Sequence, residues 1–148
     1  MYLHTAKTKT MEIAIIAHDG KKDTLIEFLK KHRNFFSSPD VHLVATGNTG
    51  ALAKKEGFAL EILLSGPLGG DAQIATRVAE GVTDVVLFFR DPLDKHPHEP
   101  DIATLIRLCD VHNVPLGTNL ATATLLVESI SFHDSLVFSD ALQSGLQV

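Results

Sequence analysis

The residues whose types and spacing could do chemistry concentrate in one stretch, residues 64–73, Leu-Ser-Gly-Pro-Leu-Gly-Gly-Asp-Ala-Gln. Gly66, Gly69 and Gly70 allow backbone conformations that other residues resist, and they let a ligand approach the main chain closely. Ser65 supplies a hydroxyl. Asp71 falls where a helical pattern begins (Ile74, Ala75, Val78, Ala79). A helix start with free N–H groups suits an anion such as phosphate. A carboxylate beside such a cradle would repel the anion. Asp71 therefore reads either as a reacting group or as an ordinary helix-start acid favoured by the macrodipole.

Elements that must position this stretch follow from the hydrophobic pattern. Short apolar runs at 12–17, 41–45, 60–64, 84–89 and 114–117 read as buried strands. Helical patterns fill 21–32, 51–56, the stretch from Asp71 to about Glu80, then Pro100 to about His112, and 121–129. Gly57 and Gly81 suit helix C-termini, Pro100 suits a helix start, and residues 46–50 read as a turn. The tail from Ser131 has no clear pattern, and residues 1–10 read as a loose polar arm. Apolar strands joined by helical crossovers predict an α/β fold. It is a single-domain, doubly wound sheet of five mainly parallel strands with helices on both faces, spanning 1–148. Right-handed crossovers bring every strand's C-terminal end to one edge, where ligands bind in such sheets.

The polar residues just past each strand divide into two chemistries. Lys22, Thr46, Thr49 and Ser65, with the backbone of Gly47, Gly50 and Gly66, form a set suited to phosphate. Read singly, each is equally a cap or turn residue. His18, Asp19, Asp71, Asp91, His98 and Asp101 form a set suited to proton transfer. His98 directly precedes a helix start, which disfavours the imidazolium. His96, His98 and Asp101 could ligate zinc, but no HExxH or CxxC spacing supports a metal. His4, His32, His42, His112 and His133 read as surface or helix-end residues.

Composition narrows the class. The 148 residues are 45% hydrophobic and 21% charged, enough for one domain with a proper core. A net charge of −5 argues against a general nucleic-acid binder. Cys109, the single cysteine, forms no internal disulfide and falls in an apolar helical pattern. No secretory leader or membrane span is visible, so a cytoplasmic setting is expected. GxGxxG and GxxxxGK[ST] are both absent, which disfavours dinucleotide binding and P-loop chemistry.

Five motifs carry a family resemblance: Ala17-His18-Asp19-x-x-Lys22, Ala45-Thr46-Gly47-x-Thr49-Gly50, Ser65-Gly66-Pro67-x-Gly69-Gly70-Asp71-x-Gln73, Phe88-Phe89-x-Asp91-Pro92-Leu93 and Pro97-His98-x-Pro100-Asp101. As a set, in this order, they resemble methylglyoxal synthase from the first strand through Asn119. The resemblance implies a lyase that turns dihydroxyacetone phosphate into methylglyoxal and inorganic phosphate, without metal or organic cofactor, as a cytoplasmic homohexamer. It implies Asp71 as the base and His18, Lys22, Thr46, Gly47, Asn48, Thr49, Ser65, Gly66 and His98 as substrate positions. Asp19, Asp91 and Asp101 match further active-site carboxylates. Asn48 stands where a threonine is often found. The alternative is a non-catalytic phosphate-ligand regulatory domain of the same fold family. A receiver-like switch fits poorly, because it needs an acidic pair after the first strand and a phosphoacceptor aspartate after the third.

Overall fold

The computed structural model describes residues 10–94 and 99–132. The arm expected at 1–10 (all but Thr10), His4, the loop residues His96 and His98, His133 and the tail from 133 onward lie outside them.

Five parallel strands, β1 (Met11–Ala17), β2 (Val41–Ala45), β3 (Glu61–Ile62), β4 (Val85–Phe89) and β5 (Leu116–Gly117), form one sheet in the order β3-β2-β1-β4-β5. The expected α/β sheet is present, with all its strand pairs parallel. β1 is buried along its whole length, because neighbours pair with it on both sides and helices cover both faces. Alternation of side chains sorts the core into two layers. Ile13, Ile15 and Ala17 of β1 and Val85, Leu87 and Phe89 of β4 pack against Leu25, Phe28 and Leu29 of α1 (Lys22–Lys31) and Ala123, Val127 and Ile130 of α6 (Leu120–Phe132). Ala53 of α3 (Gly47–Lys55) joins the same layer. Ala14, Ile16, Val86 and Phe88 face the other way, onto Ile74, Ala75 and Val78 of α4 (Gly70–Ala79) and Ile102, Leu105 and Cys109 of α5 (Glu99–Val111). Burial pushes the Cys109 thiol up to about 11, so it is an inert core group.

Several boundaries differ from the sequence expectation, each for a local reason. Residues 46–50 are not a separate turn. Thr46 is extended, and α3 begins at Gly47, with the Gly50 N–H donating to the Thr46 carbonyl at 2.7 Å. β3 is shorter than 60–64: it is an edge strand, and past Leu63 its backbone turns to loop partners. β5 likewise occupies only the end of 114–117. A short helix, α2 (Arg33–Phe36), fills the link after α1, burying Phe36 against Phe28 with ring centroids 5.7 Å apart. α6 runs past 129 to Phe132, and its start is capped where the Thr122 N–H donates to Asn119 Oδ1 at 2.9 Å. Among the described residues no helix is long and apolar enough to cross a membrane.

Candidate active site

β1 sits at the centre of the sheet, and the chain winds outward from it on both sides. The switch point is therefore between β1 and β4, and the crevice beyond their C-terminal ends is where such sheets bind ligands. The last residue of β1 pairs with the last of β4, Ala17 with Phe89. His18 and Arg90 consequently leave the sheet side by side. The His18 N–H donates to the Phe89 carbonyl at 3.1 Å, and the Asp91 N–H donates to His18 Nδ1 at 2.9 Å. The imidazole edge meets Phe88, with centroids 5.0 Å apart, and the residue is only 5% exposed. Because Nδ1 accepts a hydrogen bond, it carries no proton. The neutral ring holds its proton on Nε2 and presents an N–H donor there.

A 3-10 turn, Asp19–Lys21, then leads into α1. Lys22, at the start of α1, forms an ion pair with Asp19 Oδ1. The two side chains differ in setting: Lys22 is 16% exposed and Asp19 91%. The lysine side chain is largely covered, while the aspartate reaches solvent.

The loops after β2 and β3 are locked together. The Gly47 N–H donates to the Leu64 carbonyl at 3.1 Å, and a Cβ on Gly47 would stand 3.0 Å from the Ser65 nitrogen. Gly70 is tighter still: a Cβ there would meet Leu64 O at 1.9 Å and Thr46 Cγ2 at 2.9 Å. Gly69 has φ 105°, a left-handed conformation that suits glycine. Of the three glycines in this loop, these two are thus required, one by conformation and one by contact. The Ser65 carbonyl accepts the N–H groups of Leu68 and Gly70 at 3.0 and 2.9 Å, winding a 3-10 turn, Gly66–Leu68, before α4. Gln73 Oε1 reaches back to accept the Leu64 N–H at 2.8 Å.

Two helical turns therefore begin side by side. The N–H groups of Asn48 and Thr49 in α3, and of Gly66 in the 3-10 turn, occupy first-turn positions that a helix leaves without an internal partner. Thr46 and Thr49 are 4% and 1% exposed, and Thr46 makes no capping bond to its own helix. Ser65 and Gly66 are half-buried, while the Asn48 side chain is exposed. This is an anion cradle in chemical type: donors, hydroxyls and little else.

The carboxylates separate clearly. Asp71, the second residue of α4, is 0% exposed. Asp101, in the first turn of α5, is half-buried. Asp91 is half-buried, and its Oδ1 accepts the Leu93 N–H at 3.1 Å. Asp19 is at the surface. His98 lies outside the described residues. Among the described residues no three His, Cys, Asp or Glu side chains are grouped to hold a metal ion.

Sequence reasoning overlooked three contributors. Gly20 is one: a Cβ there would lie 2.6 Å from Asp91 Oδ2, a close approach that no local pattern marks. The Asp91–His18 bond joins residues 73 apart, and no local pattern announces it. The clamp from Gln73 to Leu64 had a signal, because Gln73 stands two residues past Asp71 in the same motif.

The MGS-like domain family matches residues 24–118. The methylglyoxal synthases of Carboxydothermus hydrogenoformans and Moorella thermoacetica are each 51% identical to this chain, covering 82% and 83% of it and 99% and 95% of their own lengths. An uncharacterized protein of Synechocystis is 54% identical over 117 residues, and there the chain spans 27% of the relative's length. Among solved structures, methylglyoxal synthase from Elizabethkingia anophelis matches with a TM-score of 0.74 at 39% identity, over 81% of this chain and 78% of that one.

Proposed function

The chain belongs to the methylglyoxal synthase family, and from that premise we propose that it is a lyase converting dihydroxyacetone phosphate to methylglyoxal and inorganic phosphate. The observation that carries the reading is Asp71. A fully buried carboxylate opens α4 beside two glycine-locked loops that offer N–H groups and hydroxyls.

In this reading Lys22, Thr46, Thr49, Ser65, Gly66 and the backbone at Gly47 and Asn48 hold the phosphate. Lys22 supplies the charge, and the helix starts supply oriented dipoles. Asp71 takes a proton from the hydroxymethyl carbon, and the electrons of that C–H bond move toward the carbonyl, leaving an enediolate. His18 donates from Nε2–H to a substrate oxygen. His98 donates to the carbonyl oxygen where charge develops and relays a proton between oxygens, assisted by Asp101. The enediolate then expels phosphate: the C–O bond breaks, its electron pair leaves with the phosphate, and an enol remains. That enol tautomerises to methylglyoxal. For expulsion the breaking C–O bond must stand out of the enediolate plane, and a rigid cradle suits that task. No metal or organic cofactor enters any step.

The same reading takes 1–148 as one domain, the cytoplasm as its location, a homohexamer as its assembly and phosphate as product and competitive inhibitor. Incubating the purified chain with dihydroxyacetone phosphate, and following methylglyoxal and phosphate together, tests the proposal. Equimolar release of both is expected. Absence of turnover with retained phosphate binding would turn the reading to a regulatory phosphate-ligand domain.

A further inference from the structure

We propose that Asp91 is a positioning residue, which fixes the tautomer of His18 rather than exchanging protons with substrate. The inference builds on the function proposed above and assigns a role within that site. Asp91 touches His18 through its main chain: its N–H donates to Nδ1 at 2.9 Å and leaves the ring proton on Nε2. That N–H is aimed by the Asp91 side chain. Oδ1 accepts the Leu93 N–H at 3.1 Å, closing a turn through Pro92, whose ring fixes one backbone angle. Oδ2 lies against Gly20, close enough that a Cβ there would be 2.6 Å away. The carboxylate thus braces the segment after β4 against the segment after β1, and the two segments meet at the His18 ring. β4 brings its own support, because the Arg90 N–H donates to the Thr118 carbonyl at 3.3 Å beyond β5. A ring held this way offers the substrate a donor with one orientation. The other tautomer would point an acceptor lone pair at an anionic ligand.

The experiment uses the full chain labelled with ¹⁵N-histidine, with His18 assigned by the signal missing from His18→Gln. Wild type should show the Nε2–H tautomer. Asp91→Asn keeps a side-chain oxygen for the Leu93 N–H, so it should keep that tautomer and lose no more than about threefold in kcat/KM. Asp91→Ala removes the brace; it should give mixed tautomers and lose roughly tenfold, the scale of one hydrogen bond. Leu93→Pro, at a position 95% exposed, removes the donor while keeping the carboxylate, and should mix the tautomers as Asp91→Ala does. An unchanged Nε2–H signal in both Asp91→Ala and Leu93→Pro would overturn the proposal. So would an Asp91→Asn variant as slow as Asp91→Ala with its His18 tautomer intact, since a charge acting on substrate would then be the cause. The tautomer is read without substrate, so a wild type inactive on dihydroxyacetone phosphate would defeat the proposed reaction and leave this test standing.

Discussion

Among the described residues two carboxylates are buried, at opposite ends of the sheet, and they are held by different means. Glu12, near the start of β1, is 5% exposed. Arg77 on α4 grips it with two donors, Nε at 3.0 Å and Nη2 at 2.6 Å, and the Thr83 hydroxyl adds a third bond at 2.7 Å. Its own backbone N–H donates to Asp84 Oδ2 at 2.8 Å, and His42 Nε2 stands 3.7 Å from Oε1. Burial pushes the Glu12 carboxyl up, yet the Arg77 and Thr83 bonds and the nearby positive charge outweigh it and leave it below the ordinary value. Asp71 is more deeply buried, and its position comes from backbone: a left-handed Gly69, and a Gly70 with no room for a side chain. A carboxylate bound by a bidentate arginine is committed to structure. Asp71 stands instead at a helix start beside N–H donors, the place the proposed reaction gives its base. Both ends belong to α4, which carries Asp71 in its first turn and Arg77 in its last.

Exchanging the two carboxylates for amides should break the molecule in two different ways. Asp71→Asn should lower kcat by about 10²–10⁴-fold while retaining affinity for phosphate; a variant with a tenth or more of wild-type kcat would contradict the role given to Asp71. Glu12→Gln should leave kcat near wild type and reduce stability instead. Arg77→Met leaves Glu12 buried without its cation, which should cost about 3 kcal/mol in urea unfolding, the low end for a broken buried pair because Arg77 is partly exposed. The double variant Glu12→Gln/Arg77→Met should regain much of that loss, and failure to regain any would place the cost elsewhere. Lys22→Ala should weaken phosphate binding by about 10–100-fold, the scale of a charge-assisted contact, with little change in the unfolding midpoint. Titration calorimetry with inorganic phosphate reads that effect, and an unchanged affinity would remove Lys22 from the cradle.

The smallest effect is in pH. The Glu12 carboxyl is lowered in the folded chain below the ordinary glutamate value of about 4.5, so below that pH the unfolded state binds more protons than the native one. Its contribution is complete above about 4.5 and is lost as pH falls through the folded value. Wild-type stability should therefore fall on acidification in that window, and Glu12→Gln should show a shallower fall. Equal slopes would mean that Glu12 is not the linked group.

Much of this arrangement is legible in the sequence. The apolar runs at 12–17 and 84–89 are continuous because those strands are covered on both faces, and residues 64–73 betray a strand-to-helix turn by their glycines. Residues 46–50 mislead for a physical reason: two glycines within five residues look like a turn, yet here they allow the α3 start to press on Ser65 and Ile62. The link between Glu12 and Arg77 spans 65 residues and depends on the crossover of α4, so no window of sequence contains it. α2 is four residues long, too short for periodicity to register. The His18 tautomer is set by a backbone N–H, and a backbone N–H carries no residue signature.

The strand order has a consequence for how the protein comes to exist. β3 is at one edge, and β4 must return past β2 to pair with β1 on the far side. α4 is the crossover that makes this return, and its inner face, Ile74, Ala75 and Val78, has nothing complete to rest on until β1 and β4 are joined. Pairings between segments this far apart in the chain form slowly, because loop closure precedes the contacts that reward it. Asp71 and the Arg77 clamp therefore reach their places in the same late event that completes the sheet. A partly folded chain has the sequences of the loops after β2 and β3 but no assembled site, so recovery of activity during refolding should follow the slowest structural phase and no earlier one.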